Sequence, residues 1–190
     1  SCELIIGVDK GCNYLYDLNI TPQYIVGDFD SSKAEVIKKL ENLGAAKYKY
    51  NCEKDFTDSE EAFELAISKK ASEIYFLGST GKRLDHTLGN LGLLLKALNS
   101  GVLTEIVDDR NKMFLINKNT SIKRDNKYKY VSFLAYDSIV EEFSIKGAKY
   151  NLDKYTLKIG DSRTVSNEFI TDEISLEISN GSILVVYSKD

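Results

Sequence analysis

Tyr24-Ile-Val-Gly-Asp-Phe-Asp-Ser-Ser32 is the stretch on which the reading of this chain turns. A short apolar run ends at Gly27, and two carboxylates follow two positions apart, Asp28 and Asp30. Side chains at i and i+2 of an extended backbone lie on one side, so both acids could reach one cation beyond a buried strand. Open α/β sheets place ligands at such strand ends. Neighbouring carboxylates repel unless a proton or cation compensates them. A hard ion such as Mg²⁺, held by a few carboxylates and substrate phosphates, suits the pair. A solvated polar turn has the same composition, and the pair alone does not choose between the two.

Upstream, Glu3–Val8 is a continuous apolar run of the kind expected for a strand buried on both faces, and Asp9-Lys10-Gly11 follows it. A short helix is expected over Cys12–Leu18, and Pro22 turns the chain into a strand at Tyr24–Val26. Downstream, Ser32 and Glu35 have the spacing of a capping box, which opens a helix running to Leu43 with Gly44 as its stop. Ala46–Tyr50 reads as a third strand. Thr57 and Glu60 form a second capping box, with Asp58 as the first helical residue and Lys54 and Asp55 just ahead. Glu73–Leu77 is strand-like and runs into Gly78-Ser79-Thr80-Gly81. The helix beyond carries Leu84, Leu88, Leu91, Leu95 and Leu98 as one apolar stripe, ending at Gly101. Thr104–Val107 is a further strand, closed by Asp108 and Asp109.

Strand and helix alternate over residues 3–107, which implies βαβ units and a parallel sheet. Asp9, Asp28/Asp30, the 54–58 cluster, the 78–85 loop and Asp108/Asp109 then all fall at C-terminal strand ends. Random surface charge would not sort this way. From Met113 onward helical periodicity fades and short β-type runs take over. Asn180-Gly181 there carries a strong hairpin signal. The expected fold is α/β: an N-terminal, mostly parallel Rossmann-like sheet with helices, followed by a small antiparallel β-sandwich domain. The expected boundary separates 1–118 from 119–190.

Composition narrows the function. Cys2, Cys12 and Cys52 form no CxxC pair and leave one over, which argues for a reducing, cytoplasmic setting and against structural zinc or a disulfide framework. No apolar run approaches the roughly 20 residues that span a bilayer, and no signal-peptide pattern opens the chain, so no membrane partner is expected. Net charge is −4, and the basic residues Lys123, Arg124, Lys127 and Lys129 are interrupted by acidic and polar ones, so no nucleic-acid partner is expected either. Ser1 is not an initiator methionine, which points to an upstream segment.

In the Gly78–Asp85 loop, glycines let the backbone approach a phosphate, and the following helix N-terminus offers free N–H groups. The spacing is not that of a P-loop. Lys82 and Arg83 supply cations suited to phosphate oxygens. Asp85 suits either a functional role or a helix N-cap. Lys54, Asp55 and Asp58 could equally be a solvated helix start that complements the helix dipole. His86 is the sole histidine, which excludes a histidine-rich metal site and leaves it as a neutral positioning group or a base.

Taken in order, these pieces resemble the bacterial thiamine pyrophosphokinase (thiamine diphosphokinase) family over essentially the whole chain. The matching segments are Asp9–Gly11, Gly27–Ser31, Lys54–Glu60, Gly78–His86 through Asn90, Asp109–Asn111, Lys146–Leu152 and Ser166–Glu168. The resemblance implies an enzyme that transfers pyrophosphate from ATP to thiamine, giving thiamine diphosphate and AMP. It implies Mg²⁺ dependence and a homodimer with thiamine bound where the subunits meet. By position, Asp28, Asp30 and Asp58 look like the metal and pyrophosphate centre, with Arg83 and Asp85 completing the catalytic set. Asp9, Lys10, Lys54, Asp55, Gly78, Ser79, Thr80, Gly81 and His86 look like nucleotide and thiamine contacts. Ser166 and Asn167 look like the β domain's contribution to the thiamine pocket. Asp85 and Asp58 are both candidates to take the hydroxyl proton. The family usually begins with an additional strand and loop ahead of Glu3, absent from this sequence, and some relatives stack thiamine on a tryptophan that this chain lacks.

Two other readings stand beside this one. Tyr24–Ser32 also approximates the first motif of haloacid-dehalogenase-type phosphatases, with Asp28 as nucleophile, but Ser32 replaces its Thr/Val. The same scaffold could also serve a non-catalytic nucleotide- or thiamine-binding regulator.

Overall fold

The computed structural model describes residues 3–48, 56–81 and 83–190. The chain divides into two compact units, Ser1–Ala71 and Ser72–Asp190.

The first unit is built on three parallel strands in chain order, β1 (Ile6–Val8), β2 (Tyr24–Val26) and β3 (Ala46–Tyr48). Parallel strands need helical crossovers, supplied by α1 (Gly11–Asp17) and α2 (Ala34–Asn42), while α3 (Asp58–Ser68) follows β3. Each sheet face buries its own cluster. Cys12, Ile25, Val36, Ile37, Leu40 and Ala45 pack on one side. Val26, Ala62 and Leu65 pack on the other with Ile6, Val8 and Tyr48. Alternate residues of β2 serve opposite faces, as the two-residue period of a strand requires.

The second unit holds a mixed five-stranded sheet and a four-stranded antiparallel one. In the former, β4 (Glu73–Leu77) runs parallel to β5 (Leu103–Val107), with α4 (Leu84–Asn99) crossing between them. β6 (Asn111–Ile116), β12 (Ile183–Ser188) and β8 (Tyr130–Ala135) extend it antiparallel. The latter has the order β10 (Leu152–Leu157), β9 (Val140–Lys146), β11 (Glu173–Glu177) and β7 (Thr120–Lys123). Between the sheets lies the largest core, with Phe133, Phe143, Ile145, Leu157, Ile174, Leu176 and Val185. β12 is apolar on both faces. Its Ile183, Val185 and Tyr187 enter this core, while Leu184 and Val186 turn to the cluster under α4.

The fold class is as expected, with four local corrections. Ser32 does not cap α2. That helix starts at Ala34 with Lys33 as an N-cap that makes no side-chain bond, and Ser32 Oγ is buried without a partner among the described residues. Asn180-Gly181 makes no two-residue hairpin, because β11 and β12 belong to different sheets. Gly181 has φ +93° and lies so close to Ile139 O that an added Cβ would stand 2.6 Å away. The α4 stripe holds only in part: Leu91, Leu95 and Leu98 pack against the core as expected, but Leu84 and Leu88 are 75% and 66% exposed, and the most buried face is Asn90, Leu93, Leu94 and Ala97. β7, an edge strand that the sequence reading did not single out, pairs with β11 through Thr120–Lys123.

Candidate functional site

In the first unit, the strand ends bring acids together through strained turns. Asp9 follows β1 at φ +41° and Phe29 lies at φ +63°, both in the left-handed region that non-glycine residues seldom adopt. The two turns are stitched to each other. Asp9 N–H donates to Val26 O (3.0 Å), and Phe29 N–H donates to Asp9 Oδ1 (3.3 Å). Gly27, at φ +133°, makes this approach possible, since a Cβ there would stand 2.0 Å from Asp9 Oδ1. The Asp9 carboxyl also hydrogen-bonds with that of Asp58, the first residue of α3. Burial, reinforced by the bond to Asp58 and by its charge, pushes Asp9 up to about 7, and the charge of Asp28 adds to this. Asp9, Asp28 and Asp58 thus form one acidic neighbourhood.

The geometry of the Asp28–Asp30 pair differs from the extended reading. β2 ends at Val26, and the left-handed Phe29 folds the segment so that Asp30 N–H donates to Asp28 Oδ1 (3.0 Å). Both acids are exposed. Among the described residues, no three His, Cys, Asp or Glu side chains close on one point as a ready-made metal cage. Lys10 is the exposed N-cap of α1. Thr57 caps α3 as expected, its Oγ1 accepting from Glu60 N–H (3.3 Å). Lys54, Asp55 and Lys82 lie outside the described residues.

In the second unit, Gly78 takes φ +69° to turn the chain out of β4. Thr80 Oγ1 donates to Asp108 Oδ2 (2.7 Å), and Ser79 O accepts from Asn90 Nδ2 (2.9 Å). Ser79 Oγ is buried with no partner among the described residues. Arg83 is the N-cap position of α4, so Asp85 is its second residue and not its cap. Arg83 and Asp85 meet through two bonds, Nη2 to Oδ2 (2.5 Å) and Nε to Oδ1 (3.2 Å), and His86 N–H donates to Asp85 Oδ1 (3.0 Å). The Arg83 bond leads in holding Asp85 down at about 2, although both side chains are exposed.

Ser166 and Asn167 lie against β8 and Tyr150. Ser166 sits at φ +58°, and its N–H donates to Ser132 Oγ (2.9 Å). Asn167 is buried and its amide is occupied: Oδ1 accepts from Tyr150 and Glu168 N–H, and Nδ2 donates to Tyr150 O. It latches two loops onto the sandwich. The sequence reading missed the fixings of the Gly78–Gly81 loop, Asn90 and Asp108. Asn90, Leu93, Leu94 and Ala97 have helical i, i+3, i+4, i+7 spacing, a signal hidden by the more conspicuous leucines.

Comparison with known proteins adds a separate line of observation. Residues 1–106 match the thiamin pyrophosphokinase catalytic domain, and residues 119–183 match the thiamin pyrophosphokinase vitamin B1 binding domain. A Bacillus subtilis (strain 168) protein named thiamine pyrophosphokinase is 32% identical over 188 residues, covering 98% of this chain and 88% of its own. The crystal structure of thiamine pyrophosphokinase from Bacillus subtilis shares the fold with a TM-score of 0.90 at 30% identity, over 97% of this chain and 87% of that one. The Geobacillus thermodenitrificans structure gives 0.87 at 34% identity, over 97% and 86%. The yeast structure, at 19% identity and a TM-score of 0.83 over 98% and 78%, shares the fold. With both halves matched in order along the sequence, the chain belongs to the thiamin pyrophosphokinase family.

Proposed function

We propose that this enzyme transfers the pyrophosphoryl group of ATP to thiamine, giving thiamine diphosphate and AMP. The observation that carries this reading is the ordered match of both family domains to one chain, joined to 32% identity over 98% of it. In the reaction the hydroxyl oxygen of thiamine forms a bond to the β-phosphorus. The bond from that phosphorus to the bridging oxygen breaks, AMP leaves with that oxygen, and the hydroxyl proton is lost. Such transfers ask the protein mainly for positioning and charge stabilisation.

Asp28, Asp30 and Asp58 are the residues we assign to Mg²⁺, with Asp9 beside them. Donor chemistry supports the fit. Burial first, and then the bond and charge of Asp58, raise Asp9 to about 7 beside these hard oxygen donors, and Ser32 Oγ is orphaned two residues beyond Asp30. Mg²⁺, when bound, would neutralise polyphosphate charge there. We assign ATP phosphates to Gly78, Ser79, Thr80, Gly81 and Arg83, with Asp85 orienting the guanidinium. Lys10, Lys54, Asp55 and His86 are assigned as further contacts. Asp85, held near 2 by Arg83, is a weak base as it stands. Ser166 and Asn167 serve the thiamine pocket in this reading, Asn167 by shaping its wall. Residues 1–118 are the catalytic part and 119–190 the thiamine-binding and dimerisation part. The active form is a cytoplasmic homodimer, a reading supported by the family resemblance and by cysteines without pairing motifs.

Incubation with thiamine, ATP and Mg²⁺, followed by mass spectrometry, tests the proposal. Thiamine diphosphate with AMP is expected. Thiamine monophosphate with ADP, or no thiamine product, would overturn it, and binding without turnover would mark a regulator. The phosphatase reading is disfavoured by the β1–α1 unit that precedes the Asp28 strand and by the family match of both domains.

A further inference from the structure

We propose that Asp108 and Asn90 are positioning residues that clamp the Gly78–Gly81 loop in the shape that receives the phosphates of a nucleoside triphosphate. The proposal rests on the reading that this loop meets ATP.

The loop has little else to hold it. Outside the helix and sheet ladders, no backbone–backbone hydrogen bond ties Gly78–Gly81 to another described residue. Gly78 is in the left-handed region, and Gly78 and Gly81 have open space around the Cα. Such a segment loses considerable conformational entropy when it is fixed. Two side chains meet that cost before any ligand arrives.

Asp108 holds the loop from the end of β5. Its Oδ1 accepts from Arg110 N–H (2.8 Å), Asn111 N–H (2.7 Å) and Asn111 Nδ2 (3.1 Å), which fixes the β5–β6 turn. Its Oδ2 accepts from Asn111 Nδ2 (3.2 Å) and from Thr80 Oγ1, 28 residues away in sequence, at 2.7 Å. Every partner is a donor, so the carboxylate acts as an ionised acceptor. Burial pushes its pKa up, but these bonds outweigh burial and hold it below the ordinary value. With both oxygens engaged it is a poor metal ligand or base and a good anchor. Asn90 holds the other side from α4. It is 7% exposed, sits on the core-facing side with Leu93, Leu94 and Ala97, and donates from Nδ2 to Ser79 O. That bond turns the Ser79 carbonyl toward the buried face of α4, and the amide groups of the loop make no backbone hydrogen bond to another described residue. Ser79 Oγ is buried and unpartnered in the same segment, a donor held in reserve.

Preorganisation of this kind appears as affinity. Binding of a non-hydrolysable ATP analogue with Mg²⁺ would be measured by calorimetry for wild type, Asp108→Ala, Asp108→Asn, Thr80→Val, Thr80→Val/Asp108→Ala and Asn90→Leu. Loss of one hydrogen bond to a charged group should weaken binding about tenfold or more. We expect that loss in Asp108→Ala, Thr80→Val and Asn90→Leu. Asp108→Asn should recover part of it, since the amide can donate to Thr80 while its oxygen serves the turn, although its NH2 loses the bond that Oδ2 accepts from Asn111 Nδ2. The double variant should bind no worse than the poorer single one. Unchanged affinity in the single variants, additive losses in the double, or no rescue by Asn would overturn the clamp. If Asp108→Ala does not fold, Thr80→Val and Asn90→Leu leave the β5–β6 turn intact and decide together, unchanged affinity in either overturning the clamp, since Asn90 is assigned no ligand contact of its own. Analogue binding without thiamine diphosphate formation by wild type would sink the activity reading and leave this test standing. No nucleotide binding by wild type would overturn both.

Discussion

Gly27 shows how much a single backbone position carries. Its φ of +133° strains any L residue, and a Cβ there would have to push the Asp9 carboxyl out of its place. Gly27→Ala should destabilise the first unit by about 1–3 kcal/mol, the usual cost of one strained position, and should abolish thiamine diphosphate formation. Urea unfolding and the product assay check both. Asp30 is exposed, so its role separates cleanly from stability. Asp30→Asn should slow turnover about a thousandfold with an unchanged circular dichroism spectrum, and near-wild-type rates would remove it from the metal centre. Cys12 is a structural thiol. Burial, with the charge of Asp9, pushes it from an ordinary 9.0 up to about 11. In the native protein at pH 8 it should resist Ellman's reagent and should react once unfolded. The folded form keeps the thiol protonated while the unfolded chain ionises above 9.0. This group's contribution therefore holds below pH 9 and is lost as pH rises toward 11.

At the scale of elements, α4 gives a direct contrast. Leu94 is 2% exposed and packs with Ile106, Leu115 and Leu184, whereas Leu88 is 66% exposed. Leu94→Ala should cost about 2–5 kcal/mol by denaturant titration and Leu88→Ala less than about 0.5 kcal/mol. Equal effects would restore the first turns of α4 to the stripe read from the leucine spacing. Its partial failure has a physical source: a helix rich in leucine satisfies several registers at once, and which one is most buried is fixed by the sheet it meets. The strands of the first unit were legible because their apolar runs end in polar clusters, and α3 because Thr57 and Glu60 cap it. The Ser32 box failed because α2 starts two residues later, at Ala34, which puts Lys33 and not Ser32 at the N-cap. The sorting of Asp9 and Asp58 to one sheet edge was legible, but the direct bond between their carboxyls was not, since it depends on how β1 and α3 pack across tens of residues. The left-handed Phe29 was equally hidden, because phenylalanine carries no signal for that conformation.

For the whole molecule, the two units keep separate cores, with no residue shared between the sandwich cluster and those around β2. Phe143 is fully buried in the sandwich against Phe133, ring centroids 5.9 Å apart. Phe143→Ala should cost that unit about 3–5 kcal/mol. Hydrogen exchange should accelerate in β8, β9 and β12 while the amides of β2 and α2 keep wild-type protection. Uniform acceleration across the chain would show that the two cores melt as one.

Vectorial synthesis gives the position of β12 a further consequence. It lies between β6 and β8, yet it is made after both. The parallel unit, whose strands pair in the order they are made, can close early on the ribosome. The second unit cannot. Until Ile183–Ser188 emerges, β6 and β8 expose the edges that β12 will join, and both cores it feeds stay open. Such late, non-local pairing is slow and leaves apolar edges in the cell while it waits. The second unit therefore holds unpaired strand edges longer during synthesis than the first.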